Sequence, residues 1–362
     1  MFVKTYLMKK PALLLIGMIL LSSCVGRNTY ELLIGTFGSN MYTAVFREGK
    51  LFEISPIPAV DPAFIVEDDR AVYSVSENGD VPGAYTFSKD LYEISYCGEG
   101  VGFSPCNIMR PDGIGTLLIS SYREGTISVL GLDDGDRITG VLQTLKFEGS
   151  GPAGEQQEHA RIHQVIRIDD GWLLATDLGS DRIRILKNNE GFPEHIADFE
   201  LPAGCGPRHM EYVPGSGIIY LVTEISREVM VIGLGRGEDG VPALSLLQRI
   251  KADGSEVSGG GDIHLHPDGK TLYASMRNDN DGIASFAVKE DGTLEYAGYA
   301  HTAEHPRHFS ISPDGRYMLV ACVNAACVQI FPINGDGSLN EKGSRTVSFA
   351  PDKPSCIRFR NN

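Results

Sequence analysis

The chain has 362 residues, with 47 acidic against 32 basic side chains and a formal charge of −15. That charge excludes general electrostatic binding to nucleic acid, and the length is enough for a sizeable core. With 42 glycines, 19 prolines and no strongly periodic amphipathic helix, the sequence reads as all-β: short apolar runs that end in Gly, Asp, Pro or Asn.

At the N-terminus, Lys4, Lys9 and Lys10 precede an apolar run from Ala12 to Leu21, and Leu21-Ser22-Ser23-Cys24 follows. A basic start, a short apolar stretch and small residues predict a secretory signal over residues 1–23. The run is too short for a good membrane span. The cysteine after Leu-Ser-Ser fits a bacterial lipobox, so Cys24 is the expected lipidation site. Residues 24–30 then form a short tether and 31–362 the folded domain. The expectation is an exported, lipid-anchored protein facing the periplasm, touching the membrane through its lipid alone. No CxxC spacing among the other cysteines suggests zinc; Cys322 and Cys327 are spaced to meet across neighbouring strands, or serve as small apolar strand residues.

One short pattern then recurs: a Pro or small residue, a strand, a turn, and a second apolar strand. It opens at Pro62, Pro105, Ala160, Pro207, Gly261, Pro306 and Pro354, at intervals of 43 to 55 residues. Four-stranded propeller blades have about that length. Turns at Pro111-Asp112-Gly113, Asp169-Asp170-Gly171, Pro214-Gly215-Ser216-Gly217, Pro267-Asp268-Gly269 and Pro313-Asp314-Gly315 supply preset and positive φ angles for hairpins. The last opening leaves no room for a second strand. Glu31–Phe37 and Met41–Phe46 supply strands without an opening. The prediction is an all-β, seven-bladed propeller whose ring is closed by N- and C-terminal strands sharing one blade.

Residues equidistant from a hairpin turn face each other at its open end. Arg208 pairs with Glu224 by this rule, His163 with Asp177, His264 with Arg277, and Arg307 with Ala321. All blades run the same way, so one rim collects Arg161, His163, Asp177, Arg208, His209, Glu224, Asp262, His264, Arg277, Arg307 and His308. Arg and His converging in an acidic protein describe an anion-binding funnel. The competing reading is that polar strand ends merely cap the sheets. His264 and His266 share a strand face but no third ligand is evident, so neither metal nor cofactor is expected. Tyr122 stands at the open end of its hairpin, where it lines the pocket or packs.

These residues resemble the lactonase family of seven-bladed propellers, which includes the propeller type of 6-phosphogluconolactonase and fungal carboxy-cis,cis-muconate cyclase. Ile34-Gly35-Thr36-Phe37, Pro105-Cys106-Asn107-Ile108, His163-Gln164-Val165 with Thr176-Asp177-Leu178, Gly206-Pro207-Arg208-His209 with Thr223-Glu224-Ile225, Asp262-Ile263-His264 with Ser275-Met276-Arg277, and Pro306-Arg307-His308-Phe309 carry the likeness. It implies a catalytic set of His163, Arg208, Glu224 and Arg277. Arg161, Asp177, His209, His264, Arg307 and His308 are then expected around the substrate. Where the family often has Pro-His-x-His, this chain has Ala160-Arg161-Ile162-His163, a departure that bears on substrate. The implied activity is metal-independent opening of a sugar lactone, an anionic one by the charge of the rim. Glu224 or His163 would activate water and arginines would hold developing charge. The alternatives are a non-enzymatic ligand- or protein-binding propeller and a cyclase-like lyase using the same Glu and Arg. A monomer is expected.

Overall fold

The computed structural model describes residues 28–78, 82–111 and 115–360. The signal segment, Cys24 and the turn at Asp112-Gly113 lie outside the described residues. Seven antiparallel sheets of four strands each make up the fold, and they are numbered here as blades in chain order.

Blade 1 is composite. Its innermost strand is the C-terminal Pro354–Phe359, which pairs with Thr29–Thr36, followed by Asn40–Arg47 and Lys50–Pro58. The ring is therefore closed by chain termini, as the repeat count predicts. Blade 2 begins at Pro62–Glu67, blade 3 at Pro105–Met109, blade 4 at Ile162–Arg167, blade 5 at Pro207–Val213, blade 6 at Gly260–Leu265 and blade 7 at Pro306–Ile311. Proline suits the first position of an inner strand because its missing N–H removes no interior ladder bond.

Adjacent blades bury their faces against each other. Leu174, Ile183 and Ile185 of blade 4 pack with Met210, Ile219, Leu221 and Met230 of blade 5. Val222, Val229 and Val231 of blade 5 meet Ile263, Leu272 and Ala274 of blade 6 on the other side. Each such side chain contributes about 1.5–3 kcal/mol when fully buried. Outer strands alternate instead: along Phe192–Glu200, Ala197 and Phe199 are half-buried between exposed Ile196, Asp198 and Glu200.

One irregularity positions the site. Every blade carries a β-bulge between its innermost strand and the next. The register skips Ser355, Ala63, Cys106, His163, Arg208, the pair Gly261-Asp262, and Arg307 in blades 1 to 7. A bulge leaves one residue unpaired and re-aims its side chain. Here six of these residues line a single small cavity on the channel axis, Gly261-Asp262 excepted. The bulges also correct the equidistance rule. Ile162 rather than His163 faces Asp177, Pro207 faces Thr223, and His308 rather than Arg307 faces Ala321. Arg277 donates its N–H to Gly259 O at 2.8 Å and does not oppose His264, which faces Tyr273.

Candidate active site

Glu224 follows the second strand of blade 5, and two guanidiniums from different blades converge on one of its oxygens. Arg208 Nε donates to Oε2 at 3.0 Å and Arg277 Nη2 at 2.5 Å, leaving Oε1 outside both ion pairs. Arg208 is buried and the Glu224 side chain is 12% exposed, so the pair sits at the floor of the funnel rather than in bulk water. Burial alone would raise the Glu224 pKa. Arg277, Arg208 and Arg307 outweigh it and hold the carboxyl below its ordinary range.

The backbone around this carboxylate is fixed by close approach. Gly259 and Gly260 N–H groups donate to Glu224 O at 2.8 and 3.0 Å. A Cβ on Gly260 would lie 2.0 Å from Thr223 O, and one on Gly259 would lie 1.9 Å from Arg277 O, so only glycine lets blade 6 pass so near. Arg227, fully buried, donates to Arg277 O at 2.8 Å and to Val257 O at 3.0 Å, and its fork engages Asp253. The segment joining blades 3 and 4 reaches the same backbone: Gln156 Nε2 donates to Ser258 Oγ at 3.2 Å.

His163 stands beside the pair as the bulge residue of blade 4. Its ring meets Tyr122 and His209 edge-on, at centroid distances of 5.8 and 5.0 Å. Burial and then the Arg208 charge push its pKa well below 6.5, so the imidazole is neutral, and buried Nδ1 has no partner. Tyr122 is pushed up to about 12 by burial and by Glu224, and keeps its proton.

The predicted substrate residues divide. Arg161 lies over the Tyr122 ring at 4.9 Å and donates to Glu155 O at 2.7 Å. Arg307 crosses the channel to Glu77 of blade 2, at 2.9 and 3.1 Å, and lies 4.9 Å above Phe37. Asp177 does not open onto the funnel: fully buried, it takes Arg184 Nη2 at 2.6 Å, Ser180 Oγ at 2.7 Å and Arg161 N at 2.8 Å. The structure thus gives it the work of anchoring Arg161. His209, His264 and His308 lie deeper in the channel, gathered around Asp262. His209 Nδ1 donates to Asp262 Oδ1 at 2.7 Å, His264 Nε2 to Oδ2 at 3.0 Å, and His308 Nε2 stands 3.5 Å from Oδ2.

Asp262, His264 and His308 are near enough together to hold a metal ion, a cluster that pairing His264 with His266 misses. Their protons argue against it. Ile357 N–H donates to His308 Nδ1 at 3.3 Å, which leaves His308's own proton on Nε2, the nitrogen a metal would need. His264 faces carboxylates at both nitrogens, and Asp262 overcomes burial to raise its pKa to about 10, so both nitrogens carry protons. In this structure the three residues are instead engaged with one another and with Glu211.

The cavity beneath His163, Arg208 and Arg307 measures about 10 Å³, space for one water. Roomier clefts, of about 160 to 310 Å³, lie away from these bulge residues. Sequence reasoning did not find Glu77, Arg227 or His305, whose Nε2 sits 3.4 Å from Arg277 Nη1. No local motif marks them, because each acts across a blade boundary. Cys322 and Cys327 do face each other in the strand register of blade 7.

Comparison with known proteins agrees with this architecture. The profile of the family "Lactonase, 7-bladed beta-propeller" matches residues 31–359. A 6-phosphogluconolactonase of Cronobacter sakazakii is 31% identical over 299 residues, 81% of this chain and 86% of that protein. The structure of a Pseudomonas aeruginosa periplasmic gluconolactonase superposes with a TM-score of 0.82 at 25% identity, covering 92% of this chain and 99% of that one. A candidate 6-phosphogluconolactonase from Bacteroides fragilis gives a TM-score of 0.82 at 31% identity, over 92% and 98% of the two chains. The chain belongs to the seven-bladed β-propeller lactonase family.

Proposed function

We propose that this protein hydrolyses a sugar lactone at the rim around Glu224, without a metal. The observation that carries the reading is a carboxylate kept ionised between two buried guanidiniums, with one oxygen outside both pairs. Relatives named 6-phosphogluconolactonase and gluconolactonase support the reaction class.

A lactone is a cyclic ester, and its carbonyl oxygen becomes anionic when water adds. In this mechanism the carbonyl binds against the N–H edges of Arg208 and Arg277, which are set before the reaction begins. Each N–H drawn toward the substrate leaves Glu224 less well paired and therefore more basic. Glu224 Oε1 takes a proton from the attacking water as its oxygen bonds the carbonyl carbon. The tetrahedral intermediate then collapses, the ring C–O bond breaks, and the proton passes from Glu224 to the departing alkoxide. The product is an open hydroxy acid. Neutral His163 orients water or substrate without adding positive charge. Arg161 and Arg307 face the rest of the substrate and favour an anionic one.

We further propose export and anchoring through Cys24, on the basic, apolar and lipobox-like pattern of residues 1–24. The name of the Pseudomonas relative places that protein in the periplasm. Loss of labelled lipid incorporation in Cys24→Ser would support this; unchanged incorporation would refute it.

The central test is acid release by purified 25–362 against a lactone panel including gluconolactone and its 6-phosphate, with Glu224→Gln beside the wild type. Lactones open spontaneously, so only the excess over buffer counts. The expected result is an excess rate that Glu224→Gln lowers by about 10²–10⁴-fold. No excess on any lactone, or an alkene product, would overturn hydrolysis in favour of ligand binding or a lyase.

A further inference from the structure

Beneath Arg208 lie buried ionisable groups for which the proposed mechanism has no use. Asp262 is 2% exposed and joins three blades: His209 from blade 5, His264 from its own strand, and His308 and the Phe309 N–H from blade 7. Burying this carboxylate costs desolvation that the converging donors offset. His209 is the member that touches the chemistry. With Nδ1–H given to Asp262 and the ring neutral, its Nε2 carries a bare lone pair, and Arg208 Nη1 points at it from 3.4 Å. The same Nη1 donates to Gly261 O at 2.7 Å, while Nε holds Glu224.

We infer that Asp262 and His209 are positioning residues for Arg208: Asp262 locks the His209 tautomer, and His209 Nε2 then holds the guanidinium with its Nε edge toward Glu224. The inference rests on the reading that Arg208 and Glu224 act on the substrate. The opposite tautomer would set an N–H against a guanidinium N–H, and the repulsion would push Arg208 off the carboxylate. His264, charged and paired to Asp262 and Glu211, supplies the counter-charge that keeps Asp262 ionised. A lysine-like point charge would not reproduce this arrangement, in which one planar fork gives Nε to Glu224 and Nη1 to both Gly261 O and His209 Nε2.

Two variants separate positioning from packing. The amide oxygen of His209→Gln falls near Nε2 and still accepts from Arg208, whereas His209→Leu fills the volume without an acceptor. His209→Leu is expected to lower kcat by about 10 to 100-fold with KM within about threefold, and His209→Gln to restore most of it, because misaligned groups lose rate more than affinity. Equal activity of the two variants would overturn the inference. A second readout needs no turnover: the ¹⁵N spectrum of the wild type should show His209 Nε2 unprotonated, and Asp262→Asn should shift that signal. A proton on Nε2 in the wild type would refute the inference even if the lactonase assay succeeds. If the assay fails, the spectrum still reports the tautomer.

Discussion

The seven bulge positions share one backbone device but divide into two halves. Blades 1 to 3 present Ser355, Ala63 and Cys106, small and uncharged. Blades 4 to 7 present His163, Arg208, Asp262 and Arg307. The fold repeats the geometry, and the sequence decides what each position does. The charged half gathers the ion pairs and imidazoles. The small half leaves the space that keeps the channel from filling, and sends one acidic residue, Glu77, across to Arg307. A ring of identical bulges becomes a site only through this asymmetry.

The comparison breaks most completely if charge is removed from the charged half. Arg277→Met takes away one of the two guanidiniums on Glu224 and one donor for the developing oxyanion. Loss of one such donor costs about 10²–10³-fold in kcat. Breaking a buried ion pair on one side also destabilises by about 3–5 kcal/mol. Lactone turnover and urea midpoints should both fall. Full activity with a lowered midpoint would make the pair structural only.

The pH dependence sharpens the same division, because the charged half holds strongly shifted groups of both signs. His264 has a raised folded pKa of about 10, so its contribution is complete below the unfolded value of about 6.5 and is lost as pH rises toward 10. Glu224 and Asp262 are lowered despite burial, so their contributions exist above about pH 4 and vanish as pH falls through the folded values. His163 and His209, both depressed first by burial and then by Arg208, resist protonation, and folding weakens as pH drops below about 6.5. Denaturant midpoints across pH 4–10 should trace a dome. His264→Gln should flatten the alkaline side by a few kcal/mol; an unchanged alkaline slope would show that His264 carries no proton.

Much of this was readable in the sequence. The Pro-opened repeat fixed blade count and closure, since proline tolerates the first position of an inner strand wherever it recurs. His163, Arg208, Glu224 and Arg277 were placed on one rim by hairpin symmetry. What symmetry misjudged was each bulge, which adds a residue that no local turn signal announces. Asp177 reads as a pocket residue because the rule sets it opposite His163; the bulge at His163 pairs it with Ile162 instead, and Arg184 and Ser180 take up its carboxylate. Glu77 and Arg307 are 230 positions apart and meet only because the ring closes. The Asp262 cluster likewise needs three blades in register, which single-hairpin arithmetic does not supply.

Overfilling the small half should cost stability before chemistry. Ala63→Leu adds three carbons to a cavity of about 10 Å³, and overpacking costs about 1–3 kcal/mol. Thermal unfolding should register it, with turnover within about tenfold. A collapse of turnover at unchanged stability would mean that the substrate reaches this lip.

Ser355→Ala is the gentlest intervention and the narrowest test of the division. Ser355 Oγ donates to Ala63 O at 2.8 Å, tying the bulges of blades 1 and 2 where the composite blade closes the ring. Both groups are buried, so the variant leaves one carbonyl without that donor, worth about 1 kcal/mol. No charged side chain depends on the bond, and kcat/KM should stay within about twofold of the wild type. A large loss of turnover from so small a change would put part of the chemistry on the uncharged side. The lactone would then have to span the channel rather than sit against blades 4 to 7.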